Sequence, residues 1–299
     1  AFADYWNPEA QPLGGVAIVP QLDAEARLRA VIDGAADGTS INSDQVGAAE
    51  SAGLNVLVAP GSGAFLLFLN MTSEGLDNID VRKAISMAID REGIGEALHG
   101  GLCVPTNQIF PAGYWASNPD VATDPYDPEA ARALLEQAGF GDGLELNATV
   151  VNVPFYIAQL EAIQAMLGEI GITVTVTPLE PTELLSRFAG GDSDMYFTTF
   201  PGAVDPAKTV ASIWAPEASL NPGNYANADV QRLALDALSV IDQADRAPIY
   251  AELSAAAAAD YFHIPVCSPS TVWALNDSLG NFQPTIGGSI DFRGVTLDG

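Results

Sequence analysis

Apolar and polar residues follow two rhythms along this chain. Between residues 16 and 58 they predict strand, helix, loop and strand: the run Val16-Ala-Ile-Val19, a helical stretch from Arg27 to Ile32 closed by Gly34, and the strand Asn55-Val-Leu-Val58. The turn Pro60-Gly-Ser-Gly63 leads into Ala64-Phe-Leu-Leu-Phe-Leu69, whose unbroken apolar character predicts a strand buried on both faces. A helical period then takes over. Val81, Ile85 and Ile89 recur every four residues and line one face, while Asp90 is placed to cap a second short helix that stops at Gly100-Gly101.

Further on, Asp127-Pro128-Glu129 combines a capping carboxylate, a proline at the first helical position and an acid at the positive end of the helix dipole; Gly139 closes this helix. A strand over 146–151, a helix marked by Ile157, Leu160, Ile163, Leu167 and Ile170, a stop at Gly171 and the alternating strand Ile172–Thr177 make a strand–helix–strand unit. Parallel neighbours are the expected outcome of that order. Pro181–Phe188 predicts another helix, Gly190-Gly191 a turn, and Asp194–Phe200 a strand. Helices over 227–241 and 244–259 precede Phe262–Cys267, with short strands around Val272–Leu275 and Gly294–Leu297. The fold class is therefore α/β.

Composition narrows the function classes. The chain has 299 residues and is 48% hydrophobic, enough for a sizeable core and for two domains or one large one. Against 38 acidic residues stand 11 basic ones, a formal charge of −27, which repels phosphate backbones and anionic lipid and argues against nucleic-acid binding. The plainest meaning of such a surface is solubility at high ionic strength or outside a cell. Its longest apolar run, Ala64–Leu69, is too short to cross a bilayer. The first residues, Ala1-Phe-Ala-Asp-Tyr-Trp6, contain no basic and apolar leader, so a secretion signal is expected to have been removed or to lie upstream.

Catalytic chemistry finds little support. His99 and His263 are the two histidines, one at a predicted helix end and one before a strand, and neither shares a motif with a serine or cysteine nucleophile. Nucleotide-binding and metallohydrolase patterns are absent, so no cofactor and no metal is expected. Cys103 and Cys267 are too far apart for a local metal knuckle and are either one disulfide of an exported protein or two buried thiols.

Seven segments in register carry a family resemblance: Asp80-Val-Arg-Lys-Ala-Ile-Ser-Met-Ala-Ile-Asp-Arg91, Gly100-Gly-Leu-Cys-Val-Pro-Thr-Asn107, Tyr126-Asp-Pro-Glu-Ala-Ala-Arg-Ala-Leu-Leu-Glu-Gln-Ala-Gly-Phe140, Gly168-Glu-Ile-Gly-Ile-Thr-Val174, Gly190-Gly-Asp-Ser-Asp-Met195, Asn224-Tyr-Ala-Asn-Ala-Asp-Val230 and His263-Ile-Pro-Val266. In this order they resemble the second part of the bacterial extracellular solute-binding proteins of family 5, receptors of peptide and nickel ABC importers. The resemblance implies a type II periplasmic-binding-protein fold with a complete second lobe over 73–262. Parts of the first lobe fall at 1–72 and 263–299, with crossovers at Phe65–Thr72 and Ile264–Leu275. It begins partway into the family's usual chain, which implies that a large N-terminal portion is missing. The implied protein is a monomeric extracellular or periplasmic receptor, lipid-anchored in its full form, that captures a small solute or short peptide and hands it to a membrane permease.

Since the family holds its ligand between lobes, segments facing the crossovers supply the candidates. The stretch Thr106–Trp115 is expected to be exposed and to offer Asn107, Gln108, Tyr114 and Trp115 for hydrogen bonds and stacking; the alternative is a packed surface loop. Phe200 and Asp205 lie just past a strand end, where open α/β sheets bind ligands, although Asp205-Pro206 is also an ordinary helix start. Peptide-binding relatives commonly carry an amine-anchoring aspartate a few residues earlier, where this chain has Gly202 or Ala203; that departure opens the alternative of a sugar or other non-peptide ligand. Trp273, with Trp214 and Tyr225, could complete an aromatic wall or simply be core. Arg187 is either a ligand carboxylate partner or a solvated charge. A surface hydrolase built on Asp192, Asp194 and Asp205 would need two of them facing one cleft.

Overall fold

The computed structural model describes residues 6–7, 14–61, 63–200, 205–222, 225–284 and 290–297. In chain order α1 (Ala24–Ile32), β1 (Gly38–Ile41), α2 (Val46–Ser51) and β2 (Asn55–Ala59) come first. Then follow β3 (Ala64–Leu69), α3 (Ile79–Met87), α4 (Arg91–His99), β4 (Cys103–Pro105), α5 (Pro128–Gln137), β5 (Leu144–Val151) and α6 (Pro154–Glu169). Next are β6 (Ile172–Leu179), α7 (Pro181–Ala189), β7 (Met195–Phe200), α8 (Ala207–Ile213), α9 (Ala228–Ser239) and α10 (Gln243–Ala259). The chain ends with β8 (His263–Pro269), β9 (Thr271–Leu275), β10 (Leu279–Gly280), β11 (Gln283–Pro284), β12 (Ile290–Asp291) and β13 (Thr296–Leu297).

These elements form two units, one of residues 1–61 with 270–299 and a larger one of 62–269. In the smaller unit β9 pairs antiparallel with β1 on one side and β2 on the other. Val16–Val19, expected as a strand, is instead an exposed segment without regular structure, with Val19 80% exposed. An apolar run becomes a strand only where its N–H and C=O groups find a partner, and β9 is flanked by Gly38-Thr-Ser-Ile41 instead. That strand is short and begins with glycine, which hid it from pattern reading.

The larger unit is built on a six-stranded mixed sheet of order β4-β8-β3-β7-β5-β6. As expected, β3 is buried along its whole length; it lies between β8 and β7, antiparallel to both. The β5–α6–β6 unit is parallel, and β7 joins β5 in parallel on its other side. The crossover segments sort at Pro269: β3 and β8 are neighbours inside the larger sheet, while β9 belongs to the smaller unit.

The helical segment after β3 carries more than a stripe. Asn78 caps α3, Asp90 caps α4 by accepting from Gly93 N at 2.8 Å, and Gly100 ends α4 in the left-handed region at φ 57°. Two arginines of this segment are buried. Arg82 donates to the Asp260 carbonyl at 2.7 and 3.0 Å, to the Asp260 carboxylate at 3.1 Å and to the Leu76 and Asp77 carbonyls. Arg91 donates to Pro265 O at 3.0 Å on β8 and to both oxygens of Ser86. Each guanidinium spends most of its forked donors on backbone, so Arg91 ties α4 to β8 and Arg82 ties α3 to the end of α10.

Candidate functional site

β7 ends at Phe200 beside the carboxyl ends of β5 and β6, the edge at which open α/β sheets present ligands. Alternation along β3 and β7 gives this edge two aromatic faces. On one face Phe65 lies 6.0 Å from Tyr156 and 5.9 Å from Phe155, and Thr199 Oγ1 donates to the Tyr156 hydroxyl at 3.1 Å. Phe155 remains 46% exposed at the start of α6. Sequence reading missed this pair, although two aromatics in the first turn of a helix following a parallel strand are a legible signal.

On the other face the loop after β4 packs inward. The expectation of an exposed stretch is corrected here: Asn107, Gln108, Ile109, Phe110 and Tyr114 are all buried. Gln108 acts as a splint, donating through Nε2 to Asn118 O at 2.8 Å and accepting from Asn118 N at 2.9 Å. Asn118 in turn donates to Ala251 O on α10 at 2.9 Å. A loop that satisfies its amides internally can bury its apolar side chains at little cost, which is why it folds down. The Phe110 ring then sits 5.9 Å from each of Tyr114, Trp214 and Tyr250. Asn107 Oδ1 is buried without a protein partner.

Trp115, with Tyr114 packed against it, meets Asp205 through a residue that sequence reading missed. Arg246 of α10 makes a bidentate pair with Asp205, at 2.6 and 3.0 Å, and donates to the Tyr250 hydroxyl at 2.8 Å. Its guanidinium carbon is 5.3 Å from the ring centres of both Trp115 and Tyr250. Hydrogen bonding to Arg246 holds the Asp205 carboxyl below its usual range and raises the guanidinium in turn, so the pair is ionised at any neutral pH. Burial, reinforced by the Asp205 charge, pushes the Tyr114 phenol up to about 12 and keeps it protonated. Asp205 is nevertheless 60% exposed along its side chain, whereas Arg246 is 10% exposed. A carboxylate has about four lone-pair directions; Arg246 takes two and Ala207 N a third, which leaves one, on Oδ2, able to accept. Asp205 also accepts from Ala207 N at 2.8 Å, and in this the helix-start reading holds as well.

The remaining candidates are dispersed. Phe200 packs against Phe68 at 6.1 Å, and the positions 202 and 203 lie outside the described residues. Trp273 belongs to the smaller unit, its ring 5.2 Å from Phe282. Trp214 is buried against His263 at 5.5 Å, and Tyr225 lies beneath Arg82 with its hydroxyl on Asp260. Arg187 pairs with Glu183 on an exposed helix face. Asp194 enters β7, accepting from the backbone and side-chain amides of Asn147, while Asp205 follows the other end of that strand. The six residues of β7 put its two ends about 20 Å apart, and Asp194 is spent at the first of them on Asn147 while Asp205 is spent beyond the second on Arg246. Cys103 and Cys267 form a disulfide between β4 and β8, with Cα atoms 5.4 Å apart. With His99 they make the one cluster of three metal-type donors found among the described residues.

Comparison with known proteins places this architecture. The chain is 26% identical over 305 residues to Di/tripeptide-binding protein 3 of Pseudomonas aeruginosa, covering 98% of this chain and 57% of that protein. To Heme-binding protein A of Haemophilus influenzae it is 25% identical over 317 residues, covering 100% of this chain and 56% of that one. The chain thus spans about half the length of the curated relatives it matches. The solved periplasmic binding protein DppA of Helicobacter pylori, in complex with the peptide STSA, superposes with a TM-score of 0.77 at 24% identity, over 93% of this chain and 56% of that one. The shared fold is that of type II periplasmic binding proteins, as expected. The model for "Bacterial extracellular solute-binding proteins, family 5 Middle" matches residues 1–221, most of the chain's length, and with the fold and the aromatic edge of its sheet it follows that this chain belongs to the family 5 extracellular solute-binding proteins.

Proposed function

We propose that this chain is part of a periplasmic or extracellular receptor that captures a short peptide and delivers it to the membrane permease of an ABC importer. The observation that carries the reading is the convergence of Trp115 and Asp205 on Arg246, with the Tyr114 ring packed 5.7 Å from Trp115. Ring faces desolvate an apolar side chain, and the open edge of Asp205 can accept from an α-ammonium group. Relatives named for di- and tripeptides support the same class. Binding, without a covalent step, is the whole of the proposed activity. No helix among the described residues is long and apolar enough to cross a membrane.

A non-peptide solute is the second reading, and one observation favours it. The residues Pro201-Gly-Ala-Val204 carry no acid, and the charge of Asp205 is already matched by Arg246, which weakens its pull on an ammonium. Native mass spectrometry of the protein purified without denaturation, followed by thermal-shift titration with di- and tripeptides and with sugars, separates the two. Co-purified peptides whose affinity falls in Trp115→Ala and Asp205→Asn support the first reading. A carbohydrate or other non-peptide that ignores Asp205→Asn replaces it with the second.

A further inference from the structure

The cluster of His99, Cys103 and Cys267 is not accounted for by solute capture. His99 is the last residue of α4; Gly100 and Gly101 turn back at φ 57° and 76°, and Cys103, the second residue after Gly101, opens β4. This tight return sets the imidazole beside the disulfide, so that one ring nitrogen and the two sulfurs all lie within 4.8 Å of one another. All three residues are buried. α4 also approaches β4 closely enough that a Cβ on Gly95 would stand 2.9 Å from Cys103 O, so the histidine's helix packs directly on the cysteine's strand.

The ring is prepared as a ligand. Gln159 donates through Nε2 to Phe155 O at 3.4 Å, which makes its Oε1 the acceptor facing His99 Nε2 at 3.0 Å. Nε2 of His99 therefore carries the proton and Nδ1 keeps its lone pair, the arrangement by which an outer hydrogen bond orients a metal-binding histidine. Burial lowers the affinity of the imidazole for a second proton, so it stays neutral near pH 7. Phe65 at 5.0 Å and Phe155 at 5.4 Å wall the ring with apolar surface. In such surroundings a divalent cation is tolerated best when its ligands cancel its charge, and two thiolates with a neutral imidazole do so. As a disulfide the two sulfurs are bonded to each other and offer no thiolate.

We propose that reduction of the Cys103–Cys267 disulfide converts this cluster into a Cys2His site for a borderline divalent cation such as Zn2+, with Nδ1 of His99 as third ligand and water as fourth. A water-soluble phosphine and one water molecule supply the chemistry. The S–S bond breaks, phosphorus takes the water oxygen and is oxidised to the phosphine oxide, and the two hydrogens of water end on the two thiols; zinc binding then releases both protons to the buffer. Around a tetrahedral zinc with bonds of about 2.3 Å the sulfurs stand about 3.8 Å apart. β4 is the element able to yield that space, since it has three residues, pairs only with β8 among the described strands and follows the exposed Gly100-Gly101 turn.

The test is cobalt titration of phosphine-reduced protein after thiol counting. The expected result is about one equivalent of Co2+ bound with a sulfur-to-cobalt charge-transfer band and intense tetrahedral visible bands, displaced by Zn2+. The oxidised protein should give neither, and His99→Ala should weaken binding by at least about tenfold. Reduced protein with both thiols free but no charge-transfer band overturns the proposal, as does an unchanged spectrum and affinity in His99→Ala. Should reduction unfold the chain, one equivalent of zinc must restore the native circular dichroism, and failure to do so also overturns it.

Discussion

Acidification should destabilise this protein through His263, and one substitution should remove the effect. His263 opens β8 opposite Phe68, 4% exposed, with its ring 5.5 Å from Trp214 and 6.2 Å from Phe68. Its Nδ1 has no partner, and burial alone drives its pKa from 6.5 to about 3. In the unfolded chain the same imidazole takes up a proton near 6.5. Between those values the unfolded state binds more protons than the folded one, so the contribution is complete above the unfolded pKa and declines as pH falls toward the folded one. The slope approaches about 1.4 kcal/mol per pH unit. Two units below 6.5, at about pH 4.5, the loss is therefore about 2.7 kcal/mol. Urea unfolding followed by tryptophan fluorescence, at about pH 7 and about pH 4.5, measures it in the parent and in His263→Phe, which keeps an aromatic ring among aromatic neighbours. Carboxylates titrate in both proteins and cancel in the difference. The parent should lose about 2–3 kcal/mol more than the variant; parallel pH profiles, or an imidazole titrating near 6.5 in the folded protein by NMR, would refute the reasoning.

Four other outcomes are expected. Asp260→Ala strands the buried Arg82 guanidinium and should cost about 3–5 kcal/mol in urea unfolding; a loss below about 1 kcal/mol would mean that the backbone carbonyls alone satisfy the arginine. Reducing the disulfide, which joins residues 164 apart, should lower stability by up to about 5 kcal/mol if chain entropy governs, read as a fall in melting temperature in metal-free buffer. Gly95→Ala puts a methyl 2.9 Å from Cys103 O and should destabilise by about 1–3 kcal/mol, with the disulfide still formed by thiol assay. Raising NaCl from about 0.05 M to about 1 M shrinks the screening length from over 10 Å to about 3 Å, so a chain of charge −27 should melt at higher temperature in the saltier buffer.

Much of the scaffold was legible because its signals are local. Asp90 and Asp127 each cap a helix within three residues of themselves, and Gly100, Gly139 and Gly171 adopt the positive φ that ends one. The β5–α6–β6 unit follows from period and length alone, and β3 announces its burial by having no polar residue. Where the signal was apolar content without periodicity, as at Val16–Val19, reading failed, because pairing is a property of two segments.

The candidate site was legible only in part, and for the same reason. Tyr114, Trp115 and Asp205 could be named as residue types suited to a solute, but nothing near them in sequence points to Arg246, 41 residues beyond Asp205, which joins Trp115 to Asp205. Gln108 has the chemistry of a ligand amide, yet in the fold it spends both ends on Asn118. Sequence by itself determined the elements, their caps and stops, the parallel connection and, through seven segments in register, the family. Tertiary structure alone decided which cysteine alternative holds, which arginines are buried, and which aromatics share a face, since each depends on groups brought together by packing across tens to hundreds of residues, where no local rule reaches.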